Sequence, residues 1–194
     1  QPFFNFHPWL YLFLIPSIGM RLWAEERKSG TIELLMTLPL RTIHVVLGKF
    51  LAAWAFTAIA LALTFPIWIS VNYLGDPDNG VIFASYFGSL LMAGAFLALV
   101  AALSALTKNQ VVAFVLGAAV SFLFLMSGLD LVLGFFRGWA PQFVVEVVSS
   151  LSFLTNFQAI SRGVIDLREV IFFGSMIALS LLINTAIIEL KKAN

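Results

Sequence analysis

Long stretches of this sequence carry no charge, and nothing else limits its possible folds so strongly. Residues Phe50–Leu74, Val81–Thr107, Gln110–Leu129 and Val170–Ile188 run for 25, 27, 20 and 19 residues without an Asp, Glu, Lys or Arg. About 20 apolar residues in a helix cross the roughly 30 Å hydrocarbon core of a bilayer. No water is present there to satisfy backbone N–H and C=O groups, so a crossing segment must be helical or part of a closed barrel. Barrel strands are about ten residues long and alternate polar with apolar. These runs do neither. Composition agrees: 61% of residues are hydrophobic and only 11% charged, against about 25% charged in an ordinary soluble domain. The expected fold is an all-α, polytopic membrane protein forming one transmembrane domain.

Five spans are expected, at about residues 3–22, 44–74, 81–106, 110–129 and 167–190. In the first, Pro8, Trp9 and Tyr11 read as an interfacial anchor, and Pro16 as a kink or break. Lys49 is placed to snorkel toward the headgroups, and Pro66 predicts a second kink. Asp76-Pro77-Asp78-Asn79-Gly80 reads as a tight turn and Lys108-Asn109 as another, which makes the second, third and fourth spans antiparallel neighbours. Charges return between residues 130 and 168. There Phe143, Val144, Val147, Val148, Leu151 and Leu154 recur at helical spacing, with Gln142, Glu146, Ser149 and Ser150 on the other face. That pattern predicts an amphipathic helix over about 140–160, lying on the membrane surface or dipping into it. Asp166 and Glu169 form a D-x-x-E pattern expected to cap the last span reciprocally.

Lys and Arg set the orientation. Arg21, Arg27, Lys28, Arg41, Lys49, Lys108, Lys191 and Lys192 fall on one side of the membrane, and Arg137, Arg162 and Arg168 on the other. The richer side is expected to be cytoplasmic. Gln1 then starts outside and the amphipathic helix is extracytoplasmic.

Chemistry-bearing residues are sparse. The sequence has no cysteine, which excludes disulfides and thiolate metal sites. His7 and His44 fall on opposite membrane faces and cannot share a metal or a triad. Ser127 lacks a paired base. Gly48-Lys49 is no phosphate-binding loop: that loop needs Gly five residues earlier and Ser or Thr after the Lys, where Ile43 and Phe50 stand. No catalytic residue, metal site or cofactor is expected on this chain. Asp130 reads as a solvated helix end, Asn72 and Asn184 as interhelical hydrogen-bonding groups, and Gly88, Gly94, Ala98 and Ala102 as places of close helix approach. A gradient-driven secondary transporter would place charged or ion-coordinating groups at mid-membrane, and the uncharged spans offer none.

The informative segment is residues 21–49, RLWAEERKSGTIELLMTLPLRTIHVVLGK. Thr31 is expected to cap a short helix over about residues 31–38, with Glu33 suited to the dipole at its first turn. Ile32, Leu34, Leu35, Met36 and Leu38 make that helix apolar, and Pro39 ends it. Such a helix at a membrane surface either lies in the headgroups or plugs into a groove on a partner.

The same stretch resembles the signature of ABC-2-type permeases, the membrane subunits of many bacterial ABC exporters. The residues that carry the resemblance are Glu25-Glu26, Arg27, Gly30-Thr31, Glu33, Leu34-Leu35, Pro39 and Gly48-Lys49. Arg162-Gly163-Val164-Ile165-Asp166 before the last span and the overall hydrophobic layout are similar too. The nearest subgroup resembles the gliding-motility and nitrous-oxide-reductase maturation permeases.

The resemblance implies an ATP-driven exporter bundle of six spans, so a first helix preceding this chain is expected. It implies a second permease copy or paralogue, surrounding membrane lipid, and a separate ABC ATPase subunit that binds ATP and Mg. No nucleic acid is implied. The location implied is the bacterial inner membrane, with several passes. Residues 31–38 become a coupling helix that meets the ATPase, with Glu25, Glu26 and Arg27 either fixing its angle by ion pairs or simply solvated. A secondary transporter, or a membrane assembly or signalling subunit driven by the same kind of ATPase, is the alternative.

Overall fold

A computed structural model describes residues 2–193, and every regular element in them is helical. The chain order is α1 (Pro2–Asn5), α2 (His7–Gly19), α3 (Ala24–Ser29), α4 (Thr31–Thr37), α5 (Thr42–Ala62), α6 (Phe65–Leu74), α7 (Asn79–Ser104), α8 (Gln110–Met126), α9 (Asp130–Arg137), α10 (Gln142–Ser150), α11 (Phe153–Ile160) and α12 (Leu167–Lys192). Three continuous stretches are long and apolar enough to cross a membrane: Thr42–Leu74, Asn79–Ser104 and Leu167–Lys192. The count becomes five if the bent pairs α8–α9 and α10–α11 each make one span.

The bundle is built around α7. Of its most apolar stretch 72% is buried, against 22% for α5–α6 and 33% for α12. Small residues allow this. Gly88, Ala98 and Ala102 are buried, and a Cβ added at Gly88 would lie 2.8 Å from Ile160. At Gly94 it would lie 2.8 Å from the Trp54 ring and 3.1 Å from Ile177. These are the close approaches expected of small residues between membrane helices, where packing rather than a hydrophobic drive holds helices together. Phe153 of α11 meets Phe96 of α7 and Phe173 of α12 edge-on, with centroids 4.8 Å and 5.8 Å away.

Local signals explain most boundaries. The Asp78 carboxylate accepts from the backbone N–H groups of Gly80 and Val81, so α7 begins at Asn79, inside the expected turn. Asn109 caps α8 in the same way. Both satisfy amides that a helix start leaves free. Pro66 occupies the first turn of α6 and the interruption falls just before it, at Leu63-Thr64. Proline is tolerated in a first turn because the N–H it lacks would be unbonded there anyway.

Several expectations are corrected. The first span is not one long helix: α1 and α2 meet at a turn at Phe6, and α2 has only 13 residues. Pro16 does not break α2, which continues to Gly19 with the Met20 N–H bonded to the Pro16 carbonyl. The expected fourth span is a 17-residue helix, and α9 turns away from it by 77°. The single amphipathic helix over 140–160 is two helices bent by 60°. Ser152 makes that break by capping α11 and donating to the Leu125 carbonyl. Phe153, Phe157 and Ile160 then pack inside the bundle, while Phe143 and Val147 of α10 stay exposed. Asp166 caps α12, accepting from the Arg168 N–H. Glu169 returns no bond, and its Oε2 is enclosed without a partner among the described residues. Asp130 is exposed, as expected. Asn72 bonds to Asn79 across the α6–α7 turn. Asn184 is buried with its Oδ1 unpartnered among the described residues.

Candidate functional site

The signature segment folds as two short helices set at an elbow. Ala24–Ser29 has acidic Glu25 and Glu26 in its first turn and basic Arg27 and Lys28 in its last. That order complements the helix dipole at both ends. Gly30 ends α3 in the left-handed region, at φ 77°, and serves directly as the residue before α4. A side chain would meet nothing within 4 Å there, so the backbone angle alone calls for glycine. Thr31 is therefore the first residue inside α4, not its cap; its hydroxyl pairs with Ser29 at 2.9 Å. Leu38 is extended, at ψ 143°, the conformation a following proline imposes. This is how Pro39 stops α4 at Thr37.

The two halves of the elbow differ in how they are held. The start of α3 is tied down. Trp23 and Ala24 are fully buried, and both their N–H groups donate to Ser104 Oγ, at 3.2 and 3.0 Å. The Ser104 hydroxyl in turn donates to the Met20 carbonyl at 2.9 Å. Arg27 reaches the last turn of α7, where its guanidinium donates to the Ala105 carbonyl at 2.8 Å. Lys191 from the end of α12 donates to the same carbonyl at 3.0 Å and to Leu106 at 2.8 Å. The carbonyls that end α7 have no partner within the helix and carry the negative end of its dipole. Two cations from distant parts of the chain answer them.

Lys49 supplies a further tie. It does not snorkel outward as expected. Its ammonium forms an ion pair with Glu26, donates to the Leu22 carbonyl at 2.9 Å and lies 4.9 Å from the Trp23 ring centroid. That joins α3 to α5. Of the acidic pair, Glu26 thus has an anchoring partner, whereas Glu25 is exposed.

Among the described residues α4 carries no such polar tie to the bundle. Ile32, Leu35 and Met36 rest partly buried against the core. Leu34 points the other way, 70% exposed, with Leu38 and Leu40 also exposed and Glu33 beside them. The elbow therefore presents an apolar knob on a short helix, carried by a second helix bonded to α5 and α7.

The sequence contained a readable sign of α3: an acidic first turn, a basic last turn and a closing glycine. Ser104 had none, being one small polar residue at the end of an apolar run. No group of three or more His, Cys, Asp or Glu able to hold a metal occurs among the described residues.

No curated protein matches the chain. Residues 9–188 match the family described as ABC-2 family transporter protein. The match takes in the elbow, the central helix and the last span, so the chain, a multi-pass membrane protein, belongs to the ABC-2 transporter family.

Proposed function

We propose that this chain is the permease of an ATP-driven exporter, and that α4 is the coupling helix through which a separate ATPase subunit moves the bundle. The family is one of membrane subunits of ABC transporters, with ATP hydrolysis on another polypeptide. The supporting observation is the elbow itself. Its exposed Leu34, Leu38 and Leu40 suit a groove on a partner, and its ties at Glu26 and Arg27 lead to α5 and α7. The basic end of the bundle would face the cytoplasm of a bacterial cell. A second permease copy would complete the path, and ATP with Mg would bind to the ATPase. Glu25 and Glu33, both exposed, are free to pair with basic groups of that subunit.

Two substitutions test this. Leu34→Asp alters a side chain that is 70% exposed, so its effect on folding should be within about 0.5 kcal/mol. Seating a Leu in a groove contributes about 1.5–3 kcal/mol, so binding of the ATPase should weaken by about tenfold or more. Leu35→Asp changes a side chain packed against the core and should lower stability itself. Copurification and ATPase stimulation in vesicles would be measured for both. Full ATPase binding and stimulation by Leu34→Asp would mean that α4 lies on lipid and docks nothing.

A further inference from the structure

The geometry points to a binding site for the zwitterionic headgroup of an aminophospholipid, in a cleft at the end of the bundle opposite the elbow. The cleft has a volume of about 930 Å³ and lies between α9, α10, α11 and the first turns of α12. Arg137, Glu146, Arg168 and Glu169 line it, with Leu133 and Phe172 among its apolar walls. Two cations and two carboxylates thus share one opening. They do not neutralise one another: the one ion pair among the described residues is Lys49–Glu26, at the other end. One oxygen of Glu169 is enclosed with no partner among the described residues, and a buried carboxylate oxygen is costly without a donor. A ligand carrying an ammonium and a phosphate answers both signs of charge. Arginine suits the phosphate through its fork of donors, and the carboxylates suit an N–H-bearing ammonium.

The depth of the cleft favours a lipid as the carrier of that headgroup. Leu131, Phe135, Trp139 and Phe143 around it are exposed, at 87%, 69%, 67% and 74%. Of these Trp139, an amphipathic ring facing outward next to charged groups, is the type that marks the level of the membrane–water interface, and the others are apolar enough to face lipid just beneath it. α10 turns its polar side, Gln142, Glu146 and Ser149, into the cleft and leaves Phe143 and Val147 outside. Such a helix lies in the interface plane. A headgroup at that level would enter sideways, with its acyl chains left along Leu133 and Phe172.

The test uses the full chain in detergent, titrated with phosphatidylethanolamine, phosphatidylcholine or phosphatidylglycerol of identical acyl chains and read by native mass spectrometry. Phosphatidylethanolamine should bind about tenfold more tightly than either of the others, the contribution of roughly one charge-assisted hydrogen bond. Glu146→Gln should remove its advantage over phosphatidylcholine. Arg137→Gln should weaken all three lipids alike. Both side chains are exposed, and an unchanged thermal midpoint would show that the fold persists. Soluble phosphoethanolamine should compete only at far higher concentration. Equal binding of the three lipids would overturn the proposal, as would an unchanged pattern in the Arg137→Gln, Glu146→Gln double variant. Soluble phosphoethanolamine binding as tightly as the lipid would overturn the lipid assignment. The readout is lipid retention rather than ATP hydrolysis, so it stands apart from the role of α4.

Discussion

Replacing Lys49 by Met should destabilise the protein by more than the ion pair is worth, because the substitution strands Glu26. The two side chains are only 20% and 30% exposed, and Glu26 Oε2 is already enclosed without a partner among the described residues. Exposed ion pairs contribute about 0.2–1 kcal/mol, whereas breaking a buried one costs about 3–5 kcal/mol. This pair lies between those limits, near 2 kcal/mol on the order-of-magnitude scale they set. Losing the bond to Leu22 adds about 1 kcal/mol, and losing the contact with Trp23 about 0.5–1 kcal/mol. Lys49→Met should therefore cost roughly 3.5–4 kcal/mol. Glu26→Gln keeps an acceptor for the ammonium and should cost about 1 kcal/mol. The double variant has no stranded charge. It should cost about 2–3 kcal/mol, short of the sum, leaving a coupling energy of about 2 kcal/mol. Equilibrium unfolding in mixed micelles, followed by tryptophan fluorescence, would measure all four proteins. Additivity within about 0.5 kcal/mol would refute the reasoning, since it would mean that the pair forms no energetic unit.

Two further outcomes follow from the elbow. Gly30→Ala should cost about 1–2 kcal/mol, because a side chain at φ 77° is strained although nothing crowds it. Gly30→Asn should be milder, since Asn tolerates that region, and thermal midpoints of the two variants would rank them. Ser104→Ala leaves the buried N–H groups of Trp23 and Ala24 without their acceptor, a loss of about 1–3 kcal/mol for each unpaired group. Amide hydrogen exchange at those two residues should then accelerate, and unaltered exchange would show that Ser104 does not hold α3.

What could be read from the sequence divides by physical cause. Charge-free runs of 19 to 27 residues dictate membrane helices through solvation alone, and the long helices over 42–74, 79–104 and 167–192 follow them. The turn around Asp78 and the cap at Asp166 are local, so short patterns reveal them. The position of Lys49 near a span end suits a headgroup, and nothing local announces Glu26 as its partner 23 residues back. The break at Ser152 escaped for the same reason. Its apolar neighbours continue the helical period, and the contact with Leu125 comes from a different helix. Among the elbow residues, Pro39 acts through backbone geometry and was legible, whereas Gly30 acts the same way but the expected cap fell on Thr31. Leu34 and Leu35 were not distinguishable, because which of two adjacent apolar residues faces the core depends on how α4 is set against the bundle.

The elbow is attached where the bundle is hardest to deform. α7 is the most buried long helix, and its final carbonyls receive Arg27 from α3 and Lys191 from α12. α7 and α12 run parallel, both ending at the elbow. With 26 residues, α7 extends about 39 Å to the far end. The ties from α3 comprise the two amides on Ser104, the Arg27 bond and the Lys49 cluster. Their combined strength is about 7 kcal/mol or more, summing roughly 1 kcal/mol per neutral bond, 2 for the charged one and 3 to 4 for the cluster. Shifting a two-state bundle from 1:99 to 99:1 requires about 5.5 kcal/mol. On the proposed coupling, a push on α4 of that size reaches α5, α7 and α12 before α3 tears loose. A weaker attachment, of one or two bonds, would fail first. On that proposal, the residues that fix Glu26, Arg27 and the start of α3 would matter to the coupling as much as leucines that meet a partner.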